Sequence, residues 1–281
     1  MVALLGGCVD QTGGDRQADE QKNIVATSVT ICEILDALEI ENVIGVPQTD
    51  TYSIPERYQK AVSIGAAMNP DMEIIVTLEP DVILSPASLA ADLQTKYENA
   101  GIDSYFLDLS STESMYGAIQ ELGYMFGRKD QAAALNREFE DYMQSYREEH
   151  SQSGQPKVLL LMGLPGSYVT ATDASYAGSL VKLAGGENVY GDDEEAFLNV
   201  NPEDMLGKDP DIILLTSHAL PEQVEKMFEK EFSENDVWKH FRAVEEGRVY
   251  TLDHNKFGMS ANFNYREALD DLQELLYETD Q

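Results

Sequence analysis

Four histidines, at positions 150, 218, 240 and 254, and two cysteines, Cys8 and Cys32, are the side chains of this sequence best suited to hold a metal or attack a substrate. They are scattered, whereas a hydrolytic or bare zinc centre needs several His or carboxylate ligands together. One histidine closes a distinctive stretch, Pro210-Asp211-Ile212-Ile213-Leu214-Leu215-Thr216-Ser217-His218. A short apolar run ended by polar residues reads as a strand buried on both faces, and in open α/β sheets ligands sit beyond the carboxyl ends of such strands. His218 is therefore a candidate ligand at the mouth of a site. Ser217 and His218 do not form a nucleophile pair, because neighbours on a strand point to opposite faces. His150 ends a helical pattern and His240 sits in the polar stretch Trp238-Lys239-His240, so both are expected in solvent. There is no phosphate loop, no Gly-x-Gly-x-x-Gly, no Gly-x-Ser-x-Gly and no His-Glu-x-x-His. A binding cleft is favoured over an active site.

The elements that must position His218 follow an alternating strand and helix pattern. Ile24-Val25-Ala26 reads as a strand, and Thr30-Ile31-Cys32-Glu33 matches a capping box ahead of Ile31, Ile34, Leu35 and Leu38 on one helical face. Cys32 within that helix is an inert, half-buried apolar residue. Further strands are expected at Val43 to Val46, Val62 to Ile64, Val82 to Leu84 and Tyr105 to Leu107, completing a first α/β lobe over residues 23–127. Leu135, Phe139, Tyr142 and Tyr146 then repeat at helical spacing with no Gly or Pro until Ser151-Gln152-Ser153-Gly154. A helix over residues 128–150 would span about 34 Å, long enough to join two lobes as a stiff spine, and the segment 128–153 is assigned to it. A second α/β lobe over residues 154–281 restarts with Val158 to Met162, the loop Gly163-Leu164-Pro165-Gly166-Ser167-Tyr168, a helix through Leu180 and Leu183, and a strand near Val189.

The second lobe echoes the first. Glu41-Asn42-Val43 returns as Glu187-Asn188-Val189, Asn69-Pro70 as Asn201-Pro202, and Pro80-Asp81 as Pro210-Asp211. Three matches in the same order argue for duplicated topology and a cleft between the copies.

At 281 residues and 43% hydrophobic, the chain can bury a sizeable core. Its 51 acidic residues against 19 basic ones, a net charge of -32, exclude nucleic-acid binding, because phosphate would be repelled. Such acidity reads as a solubilising surface. Residues 1–8 resemble the end of a signal peptide closing on a lipobox, Leu5-Gly6-Gly7-Cys8, and diacylation of Cys8 would anchor the chain to a bilayer. Residues 9–22 read as a flexible tether. No later segment approaches the ~18 apolar residues of a membrane span.

Several stretches together carry a resemblance. Val158-Leu-Leu-Leu-Met-Gly-Leu-Pro-Gly-Ser-Tyr168, Ala184-Gly-Gly-Glu-Asn-Val189, and Met227 to Phe232 continuing through Asn235 to Phe241, Phe257-Gly258 and Ala261-Asn262 resemble the IsdE family of haem-receptor lipoproteins from Gram-positive iron-regulated surface uptake systems. The resemblance covers roughly residues 23–278. It implies a class III substrate-binding protein, a monomer with two Rossmann-like α/β lobes on a long backbone helix. Such a protein takes haem, from a cell-surface donor protein, and passes it to an ABC permease at the outer face of the membrane.

The resemblance also implies the ligands. One Met from the first lobe and one His from the second hold the haem iron in that family, and the matching positions are Met68, in Gly65-Ala66-Ala67-Met68-Asn69-Pro70, and His218. A neutral imidazole and a thioether together fill both axial positions, which suits haem storage and transfer rather than oxygen activation. Met162 and Met259 are rival thioethers. Tyr52, Leu164, Tyr168 and Phe257 are candidate walls for the macrocycle, and the amides near Val29 and Thr30 at a helix start are candidates for its propionates. Glu33 opposes the latter by placing a carboxylate nearby. Glu73 and Glu203, each seven residues before the proline of the repeated Pro-Asp phrase, match the one glutamate per lobe with which such proteins dock on their transporter. A siderophore or corrinoid binder is the alternative within the class, and a chelatase-type enzyme on the same scaffold is the alternative outside it.

Overall fold

The computed structural model describes residues 22–49, 52–150, 154–218 and 220–277. The lipobox with Cys8, and the tether up to residue 21, lie outside these. The first unit runs β1 (Ile24–Ala26), α1 (Val29–Ala37), β2 (Val43–Val46), β3 (Val62–Ser63), β4 (Gly65–Ala66), β5 (Asn69–Pro70), α2 (Met72–Leu78), β6 (Val82–Pro86), α3 (Ala90–Ala100), β7 (Ser104–Leu107) and α4 (Thr112–Met125). After α5 (Lys129–Glu149) come β8 (Lys157–Leu164), β9 (Ser167–Ala171), α6 (Tyr176–Leu183), β10 (Glu187–Asn188), β11 (Phe197–Leu198), α7 (Pro202–Gly207), β12 (Ile212–Ser217), α8 (Pro221–Glu234), α9 (Arg242–Glu245), β13 (Val249–Thr251) and α10 (Tyr265–Tyr277).

The two apolar runs that follow Pro-Asp become the strands expected of them. Every residue of β6 and of β12 is buried, as strands covered on both faces require. The first sheet is parallel throughout, in the order β3-β2-β1-β6-β7. The second has the order β11-β9-β8-β12-β13, with β10 beside the start of β8. In it β8, β12 and β13 are parallel and β9 is antiparallel to β8. The fold is thus two α/β units joined by one long helix.

The duplication goes deeper than the repeated words. Asp81 Oδ2 accepts the Asn23 amide at 2.7 Å, tying β6 to the start of β1, and Asp211 Oδ2 accepts the Lys157 amide at 2.7 Å, tying β12 to the start of β8. The residue before each proline turns left-handed, Glu79 at φ 50° and Asp209 at φ 48°, which ends α2 and α7. The Asn-Pro pair, however, is not part of the repeat. Asn69-Pro70 forms β5 of a small hairpin, whereas Asn201 caps α7 by accepting the Asp204 amide, and the true counterpart of Asn201 is Asp71, which caps α2.

Two other expectations change. Helix α1 is capped by Ser28, whose hydroxyl accepts the Ile31 amide at 3.3 Å, so Thr30 lies inside the helix and Glu33 has no capping role. Ser28 wins because it sits in extended backbone directly ahead of the first helical residue, where a side-chain oxygen reaches the third amide. Residues 163–168 are not a loop: β8 continues to Leu164 and returns as β9 after Pro165 and Gly166, with Gly166 at φ 86°.

Helix α5, about 32 Å long at 1.5 Å per residue, is held on both sides. Phe139 stacks on Tyr116 of α4 at 4.2 Å, and Tyr265 of α10 meets both rings edge-on. Arg266 lies over Tyr142 and pairs with Glu138 at 2.9 Å, while the Gln273 side-chain amide donates to the Tyr146 hydroxyl at 2.6 Å. One continuous apolar cluster runs from Ile24 and Leu84 through Phe139 and Met143 to Leu160 and Leu214. The helix therefore shares a core with both units.

Candidate functional site

His218 follows the last residue of β12, and its amide continues the ladder by donating to the Gly163 carbonyl at 3.1 Å. The side chain is half-buried, and that burial pushes its imidazole below the ordinary value of 6.5. The ring is thus biased toward the neutral form, which is the form that binds metal. Met68 occupies the two-residue turn of the β4–β5 hairpin in the first unit, where it is 60% exposed, so its thioether is presented rather than packed. Of the rival methionines, Met162 is 1% exposed within β8 and Met259 is half-buried.

Val29 and Thr30 are the first two residues of α1, whose amides no carbonyl of the helix can satisfy. Glu33, one turn on, is half-buried, and burial raises its carboxyl above the usual range. Tyr52 reaches across to the second unit: its hydroxyl donates to the His254 carbonyl at 3.4 Å, and the two rings lie 6.4 Å apart. Burial, Asp253 and Glu33 together raise the Tyr52 phenol, keeping it protonated.

The other wall candidates fare differently. Leu164 is half-buried at the end of β8. Tyr168 is engaged elsewhere, its ring against Phe228 and Trp238 and its hydroxyl donating to Glu231 at 3.1 Å. Phe257 is no wall: its ring is fully buried in the main cluster, and its carbonyl accepts the Thr216 hydroxyl at 2.7 Å. His150 is also less exposed than expected, its ring tilted against Tyr146 with centroids 4.4 Å apart.

A cavity of about 400 Å³ opens at the carboxyl end of β12, between α8 and β13. Leu215, Val224, Phe228 and Leu252 give it an apolar lining, and Ser217 and His254 bring polar atoms to it. Sequence reasoning missed His254 at this place, since strand register is invisible until the strands pair. Among the described residues no three His, Cys, Asp or Glu side chains gather as a metal cluster, and no helix is long and apolar enough to cross a membrane.

Glu73 and Glu203 take equivalent places. Each is the exposed second residue of its helix, behind Asp71 in α2 and Asn201 in α7.

Two α/β units on one bridging helix define the two-lobed fold of a substrate-binding protein. The chain belongs to the periplasmic binding protein family, which it matches over residues 24–255. It is 39% identical over 277 residues, 98% of its own length and 94% of the relative's, to the high-affinity heme uptake system protein IsdE of Staphylococcus aureus. Among solved structures it is similar to that organism's IsdE complexed with heme, with TM-score 0.87 and 40% identity over 92% of this chain and 99% of the other. It is also similar to an ABC transporter substrate-binding protein from Listeria monocytogenes, with TM-score 0.86 and 43% identity over the same shares.

Proposed function

We propose that this chain is a haem-uptake binding protein that holds haem between its lobes, with Met68 and His218 on opposite sides of the iron, and delivers it to an ABC permease. The observation that carries this is the contrast between the two donors: a thioether 60% exposed on a hairpin turn of one lobe, and a half-buried imidazole, biased toward neutrality, at a strand end of the other. Similarity to haem-binding relatives at 39–40% identity supports it. A saturated axial set suits carriage, since no coordination position remains for oxygen. The amides of Val29 and Thr30 are the groups to meet the propionates. With a net charge of -32 the chain cannot draw an anionic porphyrin in from a distance, so contact burial and ligation supply the affinity.

Acylation of Cys8 would hold the protein at the outer face of the membrane, and Glu73 and Glu203 would dock on cationic residues of the permease. Absorption spectra during haem titration test the binding step: a sharp Soret band at one equivalent is expected, weakened in affinity by His218→Ala and altered in form by Met68→Ala. Absence of a Soret band in the unmodified chain would refute it. Reversal of both Glu73 and Glu203 to Lys should abolish haem transport in reconstituted vesicles with haem binding unchanged; intact transport would remove the docking assignment.

A further inference from the structure

Strands β12 and β13 run parallel with Leu215 opposite Thr251, and the Leu252 amide donates to the Leu215 carbonyl at 2.8 Å. His218 lies three residues beyond Leu215, and His254 lies three residues beyond Thr251. Both histidines thus follow the carboxyl ends of neighbouring strands, at the same end of the same sheet. The cavity at this end is lined by His254, Ser217 and Pro221.

His254 sits in a well-braced turn. Its Nδ1 is 3.8 Å from Asp253 Oδ1, and that carboxylate oxygen is fixed by the Asn255 amide and side chain at 2.9 and 3.0 Å. At that distance the carboxylate lies beside the ring without a hydrogen bond to it. The segment is held in place by the Thr216 bond to Phe257 and by Asn262 and Asn264, whose side chains both donate to the Asn255 carbonyl. The ring is 25% exposed and faces Tyr52 of the opposite lobe.

We propose that His254 is a second imidazole ligand for haem iron, an alternative to His218 on the same lobe. This deepens the reading of the site given above and rests on it. Both imidazoles approach from one lobe, so they take turns at one axial position while Met68 holds the other. The exchange breaks one Fe–N bond and forms another, and the iron keeps its oxidation state. Haem leaving His218 during transfer would thereby keep a nitrogen ligand until it is passed on.

The test compares haem spectra and electron paramagnetic resonance of the whole chain with those of H218A, H254A and H218A/H254A. The expected H218A spectrum is still that of low-spin, nitrogen-ligated haem, with affinity reduced about 10- to 100-fold, the span typical of disturbed metal surroundings. H254A alone should resemble the unmodified protein, and the double variant should lose nitrogen ligation and regain it on addition of free imidazole, which shows that its pocket is folded. H218A/H254Q, which keeps a polar side chain of similar reach, should behave as the double Ala variant. Identical spectra for H218A and the double variant, or nitrogen ligation persisting in the double variant, would overturn the role of His254 and leave the haem assignment standing. An unmodified chain with no Soret band would overturn both.

Discussion

Replacing methionines one at a time separates ligand from filler, because the structure assigns them opposite costs. Met68 is 60% exposed on a hairpin turn, so Met68→Ala removes little buried surface and should change folding stability by no more than about 0.5 kcal/mol. Met162 is 1% exposed in β8, opposite Thr216 of β12, and Met162→Ala leaves a cavity in a close-packed layer at a cost of about 2–5 kcal/mol. At about 2–4 °C per kcal/mol that becomes a fall in Tm of roughly 4–20 °C. The haem spectra should show the reverse order. Met68→Ala should lose the thioether-ligated signature while melting like the unmodified protein, and Met162→Ala should melt early yet keep its spectrum when loaded at low temperature. Thermal melts of the apo proteins and haem titrations on the same preparations supply both columns of the comparison. An unaltered spectrum in Met68→Ala, with loss of the signature in Met162→Ala or Met259→Ala, would refute the choice of donor.

Acidification should act through His218. The unfolded ring takes up a proton near 6.5, while the folded ring resists it, so this group costs no stability at higher pH and begins to destabilise the fold as pH falls through about 6.5. Haem affinity should fall only at lower pH still, where a proton competes with iron; NMR titration of the ring at or above 6.5 would contradict this. Gly178→Ala should be severe, because its Cβ would lie 1.8 Å from the Thr172 carbonyl oxygen, a backbone atom that cannot swing away. A loss of at least about 2–3 kcal/mol is expected in denaturant unfolding, and a neutral outcome would show that α6 can shift. Salt should raise Tm, since a net charge of -32 repels itself and the screening length shortens from about 30 Å at 0.01 M to about 10 Å at 0.1 M. A flat salt dependence would mean that the charges are already compensated.

Runs such as Ile212–Ser217 and Val82–Pro86 were legible as central strands because burial on both faces leaves an unbroken apolar word, and Pro-Asp marked them because the same left-handed stop and the same carboxylate-to-amide tie precede both. His218 at a strand end followed from that. Short polar motifs were less secure. Ser28 and Thr30 offer the same hydroxyl two residues apart, and only backbone conformation decides which one caps α1. Asn-Pro appears in both lobes as a hairpin strand and as a helix cap, since neither use demands a particular sequence around it. Phe257 looked like a ligand wall because nothing in its sequence neighbours announces that its ring packs into the main core. His254 was visible only as one of four scattered histidines; its place at the same sheet end as His218 depends on the pairing of β12 with β13.

Near-infrared magnetic circular dichroism of the ferric haem complex reads both axial ligands at once and tests the inter-lobe ligation most directly. A one-to-one complex with a histidine–methionine charge-transfer band is the result expected of a sulfur from the first lobe and a nitrogen from the second. A bis-histidine band, or a high-spin spectrum with no sulfur ligand, would contradict it.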